Sequence, residues 1–115
     1  MSETEEERKF EIGCKRIGGN PIKTEYGTLG CEVGNALVDV KNRELESISL
    51  IQKSPDHPNI LFHIGDEIEN IALHKKTGVL VVYTKKLTID MDKGLIEIGI
   101  RPVGEYPKGT LEEIR

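Results

Sequence analysis

The sequence predicts a mainly β protein: a small twisted β-barrel with an extra C-terminal hairpin and one or two short helical turns. Apolar segments of strand length alternate with clusters of Gly, Pro, Asn and Asp that turn the chain. The core is expected to consist of Ile, Val and Leu, because the 115 residues include no Trp, two Phe and three Tyr. Residues 1–9 are charged and lack apolar periodicity, so we expect a mobile acidic tail followed by a single domain over residues 10–115.

The first two strands are predicted from alternation and from turn residues. Phe10, Ile12 and Cys14 occupy alternate positions, which is typical of a strand. The Gly-Gly-Asn-Pro cluster at residues 18–21 turns the chain. A second strand is expected over residues 22–26.

The central segment predicts an antiparallel ribbon. Residues 37–40 read as a strand, residues 41–44 as a turn, and residues 45–51 alternate strictly as the partner strand. The following loop contains two prolines and cannot lie in a central strand. It leads into a further strand over residues 60–64.

The first helical turn is predicted after this strand. Asp66 and Glu69 have the spacing of a helix-capping pair, and Gly78 follows as a stop signal. Residues 79–84 are apolar and β-branched at both odd and even positions, so they predict the most buried strand.

The C-terminal segment predicts a hairpin and the second helical turn. Two alternating apolar stretches flank Asp-Lys-Gly at residues 92–94, which indicates a β-hairpin. Thr110 and Glu113 form a second capping pair. We therefore expect a short helical turn at the C-terminus.

Glycine and apolar spacings between residues 18 and 82 resemble a known family. The segment has Gly19, an apolar residue at Ile22, a turn at Gly27 and then the ribbon "EVGNALVDVKNRELESISL". In this spacing the chain resembles the PRC-barrel family, and residues 87–115 extend beyond the usual module. The matching positions in the ribbon are Val33, Asn35, Val38, Asp39, Glu46 and Leu50.

The resemblance implies a small twisted barrel used as a binding domain. Such barrels occur in photosynthetic reaction-centre H subunits, in the C-terminal domain of ribosome maturation factors and in free-standing archaeal proteins. None of these uses is enzymatic at the barrel. The expected function is therefore a non-enzymatic interaction module with a protein partner and no cofactor.

The polar loop before residue 60 is the predicted docking site. Loops held by a rigid scaffold commonly carry recognition, and two prolines reduce the entropy lost on binding. The alternative is that the loop only connects two strands. The residues hypothesised to form the rim of a protein-binding surface are Asp56, His57, Asn59, Lys75 and Lys76.

A lysine patch suggests an RNA- or ribosome-associated factor as the alternative function. Lys75, Lys76, Lys85 and Lys86 bracket the buried strand, and Tyr83 could stack on a base. Against this, the net charge of −4 repels phosphate backbones. The lysines also suit a second role, protecting a sheet edge from pairing with other chains.

A small metal-dependent enzyme is the second alternative. The available ligand types lack the spacing of zinc sites, and the acidic turn near residue 92 lacks the glycine and oxygen positions of an EF-hand loop. We therefore predict no metal site and no catalytic residues. The residues considered are His57, His63, His74, Cys14, Cys31, Asp90, Asp92 and Glu97.

Composition also bears on location and source. The apolar run at residues 79–83 is too short to span a bilayer, and the first residues lack the pattern of a signal peptide. We therefore expect a cytoplasmic protein without membrane insertion. Fifteen Glu and eleven Lys against one Gln resemble the surfaces of heat-adapted proteins, which predicts a thermophilic source. The sequence does not identify the partner or the oligomeric state, which includes the alternative of a homo-oligomer. It also leaves open whether Cys14 and Cys31 are bonded to each other.

Overall fold

The structure is a computed structural model that describes residues 4–50, 56, 60–76, 78–91, 99–102 and 111–114. The described residues form one helix and nine strands, which confirms the prediction of a mainly β protein. In chain order the elements are α1 (Glu5–Arg16), β1 (Asn20–Lys23), β2 (Leu29–Val33), β3 (Ala36–Lys41), β4 (Glu44–Leu50), β5 (Ile60–His74), β6 (Leu80–Thr84), β7 (Leu87–Met91), β8 (Gly99–Pro102) and β9 (Leu111–Glu113).

The strands form one antiparallel sheet in which β1 to β8 are neighbours in chain order. The long strand β5 joins its two halves. Its N-terminal half pairs with β4, and its C-terminal half pairs with β6 and β9. No pairing among the described residues connects β1 with β8, so these strands form an open sheet.

The central ribbon and the buried strand are confirmed. The predicted ribbon is the β3–β4 hairpin, and its turn consists of Asn42 and Arg43, with φ angles of 50° and 69°. Positive φ at both central residues is the geometry of a type I′ turn, which matches the twist of the flanking strands. In β6, Leu80, Val81 and Val82 are all buried, so both faces of this strand are covered. The predicted C-terminal hairpin corresponds to the pair β7–β8, and its turn at residues 92–94 lies outside the described residues.

A helix replaces the strand predicted from residue 10. Phe10, Cys14 and Ile17 are buried together on one face of α1 and its C-terminal cap, at the spacing of a 3.6-residue period. The strand prediction was wrong because Phe10 and Cys14 are four residues apart, a spacing that fits both a strand and a helix.

Both ends of α1 are capped by local hydrogen bonds. The Thr4 hydroxyl accepts the backbone N–H of Glu7 at 3.2 Å. After the last turn, Gly18 has a φ of 81°, and the N–H of Gly19 donates to the carbonyl of Cys14 at 2.8 Å. This is a Schellman cap, which favours glycine at the left-handed position. The glycine pair predicted to be a simple turn therefore ends a helix.

The helix includes part of the predicted acidic tail. Glu6 forms an ion pair with Arg43 at 3.3 Å, and the Glu7 carboxylate accepts the backbone N–H of Asn42 at 2.9 Å. Both partners lie in the β3–β4 turn. These contacts make residues 5–9 part of the folded domain and correct the tail prediction for them.

The helical turn predicted from Asp66 is wrong, because this segment belongs to β5. Ile68 pairs with Thr84 and Asn70 pairs with Tyr83, so Glu69 is an extra residue in a β-bulge. The bulge brings Ile68 and Ile71 into the core although they are three residues apart. Their spacing therefore imitates a helical face.

The second predicted helical turn is also a strand. Leu111, Glu112 and Glu113 form β9 and pair with the C-terminal half of β5. The hydrogen bonds offered by this edge of β5 outweigh a short capping signal. Thr110 lies outside the described residues.

The core lies between α1 and one face of the sheet. A Cβ on Gly13 would come within 2.5 Å of Leu80 Cδ1, so glycine allows the helix backbone to lie close to β6. Side chains from both halves of the sheet complete this core. They include Val38, Val40, Leu45, Ile48, Ile71, Val82, Ile89, Met91 and Ile114.

A disulfide joins the helix to the sheet. Cys14 of α1 and Cys31 of β2 are bonded, with their Cα atoms 5.8 Å apart, and both are buried. The sequence left the bonding of Cys14 and Cys31 open, and the structure shows them bonded to each other. The spacing in the sequence could not predict the bond, because only the packing of α1 on β2 brings the two residues together.

We expect reduction of this disulfide to lower the free energy of unfolding by about 3 kcal/mol, because it removes a cross-link between residues 17 apart in sequence. Urea denaturation with and without a phosphine reductant measures the change. A Cys14→Ala/Cys31→Ala variant is the control, and its midpoint should not respond to the reductant. An unchanged midpoint in the wild-type chain after both thiols titrate would contradict the prediction.

Candidate functional site

A polar row crosses four strands on the face of the sheet opposite the core. Asp39 lies between Val38 and Val40, which face the core, so its side chain lies on the opposite face. The strand registers align Gly30 with Asp39, Asp39 with Ser47, and Ser47 with His63. An acid, a hydroxyl and an imidazole therefore occupy neighbouring positions on β3, β4 and β5.

The loop between β1 and β2 borders this row. The hydroxyls of Thr24 and Thr28 are 2.5 Å apart, and the N–H of Thr28 donates to the Thr24 hydroxyl at 3.2 Å. Lys41 Nζ donates to the carbonyl of Tyr26 at 2.9 Å and ties the loop to β3. The Tyr26 side chain is 77% exposed. These bonds hold the loop in place and leave an aromatic ring accessible.

The row and the loop line an open groove with a volume of about 620 Å³. The loop contributes Thr24, Glu25, Tyr26 and Thr28 to its lining. The strands contribute Asp39, Glu46, Ser47, Leu61 and His63. The groove therefore combines carboxylates and hydroxyls with an aromatic ring and an apolar side chain.

The Asp39 carboxyl is the most unusual group in the groove. Burial raises its pKa above the ordinary value of 3.8, and the hydrogen bond from Ser47 Oγ to Asp39 Oδ2, at 3.2 Å, only partly opposes that rise. Asp39 Oδ1 is buried and has no hydrogen-bond partner among the described residues. It lies over Gly30, where a Cβ would come within 2.6 Å of it. The missing side chain at residue 30 thus makes room for the carboxyl.

The order of these groups differs from that of a catalytic triad. In a triad, the histidine lies between the nucleophile and the acid and accepts the hydroxyl proton. Here Ser47 lies between Asp39 and His63 in the register and donates its proton to Asp39. The register therefore does not place His63 where the histidine of a triad would lie, between Ser47 and Asp39.

This row was not predicted as a site from the sequence. Asp39 entered only as part of the family pattern, and His63 only as a metal-ligand type. The signal in the sequence was an aspartate between two valines, Val38 and Val40. The registers align this aspartate with a glycine on one neighbouring strand and a serine on the other. Reading that signal requires the strand registers, because the four residues come from four strands.

The residues of the predicted docking rim lie far apart along β5. Asp56 is exposed before the strand begins, whereas Lys75 and Lys76 are exposed in the turn after it ends. At about 3.3 Å per residue, the 15-residue strand between them spans roughly 50 Å of chain. Asp56 and the two lysines thus lie beyond opposite ends of β5, and the docking rim stays a prediction. His57 and Asn59 lie outside the described residues.

The four lysines do not form one patch. Lys75 and Lys76 follow β5, whereas Lys85 and Lys86 lie at the opposite end of β6. Lys85 Nζ forms an ion pair with Glu67 at 2.8 Å, and this hydrogen-bonded pair raises the pKa of Lys85. The separation and the ion pair reduce the positive potential that an RNA backbone would meet.

Asp66 has a structural role in the turn between β6 and β7. Its carboxylate accepts the backbone N–H of Lys86 at 2.9 Å. The Thr84 hydroxyl, above all, and this N–H hold the pKa of Asp66 below its ordinary value. The residue predicted to cap a helix therefore stabilises a β-turn.

The metal-ligand candidates are dispersed or engaged elsewhere. Cys14 and Cys31 are bonded to each other. Within the ranges that the structure describes, no group of three or more His, Cys, Asp or Glu side chains is placed to hold a metal ion. His57, Asp92 and Glu97 lie outside those ranges.

The N-terminal half of β5 extends beyond β6. Residues 60–63 pair with β4 on one side, whereas pairing with β6 begins only at Ile68. In the part of the chain that the structure describes, no strand pairs with the other side of residues 60–64. We call this side the free edge of β5. Leu61 is 53% exposed and Phe62 is 43% exposed there.

Comparisons of the chain with protein-family models, curated proteins and solved structures gave no match. The described residues contain no helix that is long and apolar enough to cross a membrane.

Proposed function

We propose that this protein is a non-enzymatic interaction module of PRC-barrel type that binds an extended segment of a partner protein along the free edge of β5. The bound segment adds a strand to the sheet next to residues 60–64. Backbone hydrogen bonds hold it in place, and exposed side chains on the edge select its sequence.

The observation that carries this proposal is a difference between the edges of the sheet. Natural edge strands are protected from pairing by proline, by charged residues or by short length. The terminal strands follow this rule, because β1 has four residues with Pro21 and Lys23, and β8 has four with Arg101 and Pro102. Residues 60–64, Ile-Leu-Phe-His-Ile, contain no proline, lysine or arginine. In the described part of the chain, this edge is left unpaired and is open to another strand.

The exposed side chains indicate what the partner must offer. Phe62 continues the core-facing row of Val38 and Ile48, whereas Leu61 and His63 lie on the opposite face. An added strand would meet an apolar residue on each face of the sheet. We therefore expect an extended segment with apolar side chains at adjacent positions, one toward each face.

The PRC-barrel part of the proposal rests on the pattern between Gly19 and Leu50. The ribbon in that pattern corresponds to three consecutive antiparallel strands, β2, β3 and β4. Closure of the twisted sheet into a barrel belongs to this proposal. A barrel of this kind supports binding through its strands and loops without a catalytic centre.

The test uses short peptides selected from a random library against the full chain. We expect Leu61→Lys and Phe62→Lys each to raise the dissociation constant of the selected peptides by about tenfold or more. The physical reason is that lysine blocks strand pairing at an edge and that apolar contacts are lost. The bound peptide should also slow amide hydrogen exchange in residues 60–64. The matched control is Glu69→Lys, which places lysine at an exposed position where β6 already covers the strand.

Two results would overturn this function. One is a peptide that binds the Leu61→Lys/Phe62→Lys double variant as tightly as it binds the wild-type chain, with both chains folded by circular dichroism. The other is a concentration-dependent dimer that the double variant abolishes, since it would assign the edge to a second copy of this chain.

A further inference from the structure

The groove beside Asp39 is negative and has no described cationic lining. Three carboxylates contribute to it, those of Glu25, Asp39 and Glu46. No lysine or arginine of the described residues lines it. Lys41, at the end of β3, donates to the carbonyl of Tyr26. The electrostatic potential of this groove therefore favours a cation and disfavours an anion.

Asp39 has hydrogen-bonding capacity that the described residues do not use. The side chain is about nine-tenths buried, with 9% of the residue exposed. Its Oδ2 accepts from Ser47, but Oδ1 has no donor in the described part of the chain. A buried acceptor without a donor is costly, and such groups in folded proteins commonly have a partner that completes them. A ligand with an N–H donor would supply that partner.

We propose that this groove binds a primary ammonium group, which donates to the Asp39 carboxylate while its alkyl chain lies along Tyr26 and Leu61. The ammonium belongs either to a free polyamine or to a lysine side chain. The proposal goes beyond the function above because the ammonium binds at Asp39 on the face of the sheet, although its alkyl chain shares Leu61 with the free edge.

The geometry favours an ammonium over other cations. A guanidinium binds best through two parallel N–H bonds to both oxygens of a carboxylate, but Ser47 already occupies Oδ2. A calcium ion takes six to eight oxygen ligands, and the described residues form no cluster that could hold a metal. An ammonium is a compact charge with three donors, and the hydroxyls of Thr24, Thr28 and Ser47 offer further acceptors in the same groove.

The aromatic and apolar lining fits the rest of such a ligand. Tyr26 presents a ring that is 77% exposed, and cations are attracted to aromatic faces. Leu61 offers apolar contact for a methylene chain. The raised pKa of Asp39 agrees with a buried carboxyl that lacks a neighbouring cation.

The experiment titrates the full ¹⁵N-labelled chain with 1,5-diaminopentane and, separately, with N-acetyl-lysine methylamide. We expect amide shifts at Asp39, Ser47 and the loop of residues 24–28. Binding of the diamine alone would identify a free polyamine as the source, and binding of the lysine amide would identify a protein side chain. N-acetyl-norleucine methylamide has the same chain without the charge and should cause no shifts.

Variants assign the interaction to Asp39. Asp39→Asn keeps the shape of the side chain and removes its charge, so the dissociation constant should rise by about tenfold or more. Ser47→Ala should weaken binding to a smaller extent, because it frees Oδ2 without removing the charge. Glu44→Gln removes an exposed acid outside the groove and should leave the affinity unchanged.

The proposal is overturned if neither amine shifts these amides, if the norleucine amide binds as well as the lysine amide, or if Asp39→Asn binds as tightly as the wild-type chain. None of these results depends on peptide binding at residues 60–64. Leu61 belongs to both surfaces, but Asp39 lies only in the groove and Phe62 only on the free edge, so Asp39→Asn and Phe62→Lys test the two proposals separately.

Discussion

Replacing Val81 with aspartate should leave the chain unfolded. Val81 is 1% exposed and pairs with Ala72 on one side and Asp90 on the other. A carboxylate there would lose its hydration without gaining a positive partner among the described residues, and its register partner on β7 is another acidic residue, Asp90. The cost is comparable with the whole stability of a small domain, about 5–15 kcal/mol.

Far-UV circular dichroism and a ¹⁵N–¹H correlation spectrum measure this outcome. The matched control is Val81→Ala, which removes two methyl groups without adding charge and should give a folded chain with a lower urea midpoint. A dispersed spectrum and a cooperative thermal transition for Val81→Asp would contradict the prediction. They would mean that the second face of β6 is accessible to water.

Replacing Phe10 with alanine should lower the free energy of unfolding by about 3–5 kcal/mol, because it leaves a cavity where an aromatic ring was fully buried. This tests the helix directly. In α1, Phe10 shares the buried face with Cys14 and Ile17, whereas Ile12 lies beside that face and is only partly buried. In the strand predicted from the sequence, Phe10 and Ile12 would be equivalent.

Urea denaturation of Phe10→Ala and Ile12→Ala distinguishes the two structures. The helix predicts a clearly larger loss for Phe10→Ala than for Ile12→Ala. Lys15→Ala, at an exposed position on the same helix, should change the midpoint little. Equal losses of unfolding free energy at residues 10 and 12 would favour a strand. No loss at either position would indicate that the N-terminal segment is a tail that does not pack on the domain.

The elements predicted correctly have signals confined to neighbouring residues. The β3–β4 hairpin follows from strict alternation on both sides of a short polar turn, and β6 follows from a continuous run of apolar and β-branched residues. In each case the local preference and the tertiary environment favour the same conformation. The elements predicted wrongly lack this agreement.

The wrong predictions share a physical cause. The bulge at Glu69 changes the spacing of core residues in β5 from two to three, and the interval of four between Phe10 and Cys14 suits either a helix or a strand. No strand was predicted over residues 29–33, where β2 carries Gly30 and leaves space for the Asp39 carboxyl. These cases depend on contacts that no local pattern contains.

The sequence by itself determined that the protein is mainly β, and it determined the central hairpin and the buried strand, because hydrophobic periodicity and turn chemistry act within a few residues of each other. Only the tertiary structure decided the Cys14–Cys31 disulfide, the row of Asp39, Ser47 and His63, and the free edge of β5. Each of these joins residues from separate elements or depends on where a neighbouring strand ends. Strand register and the packing of α1 set those relations, and both follow from burying one common core.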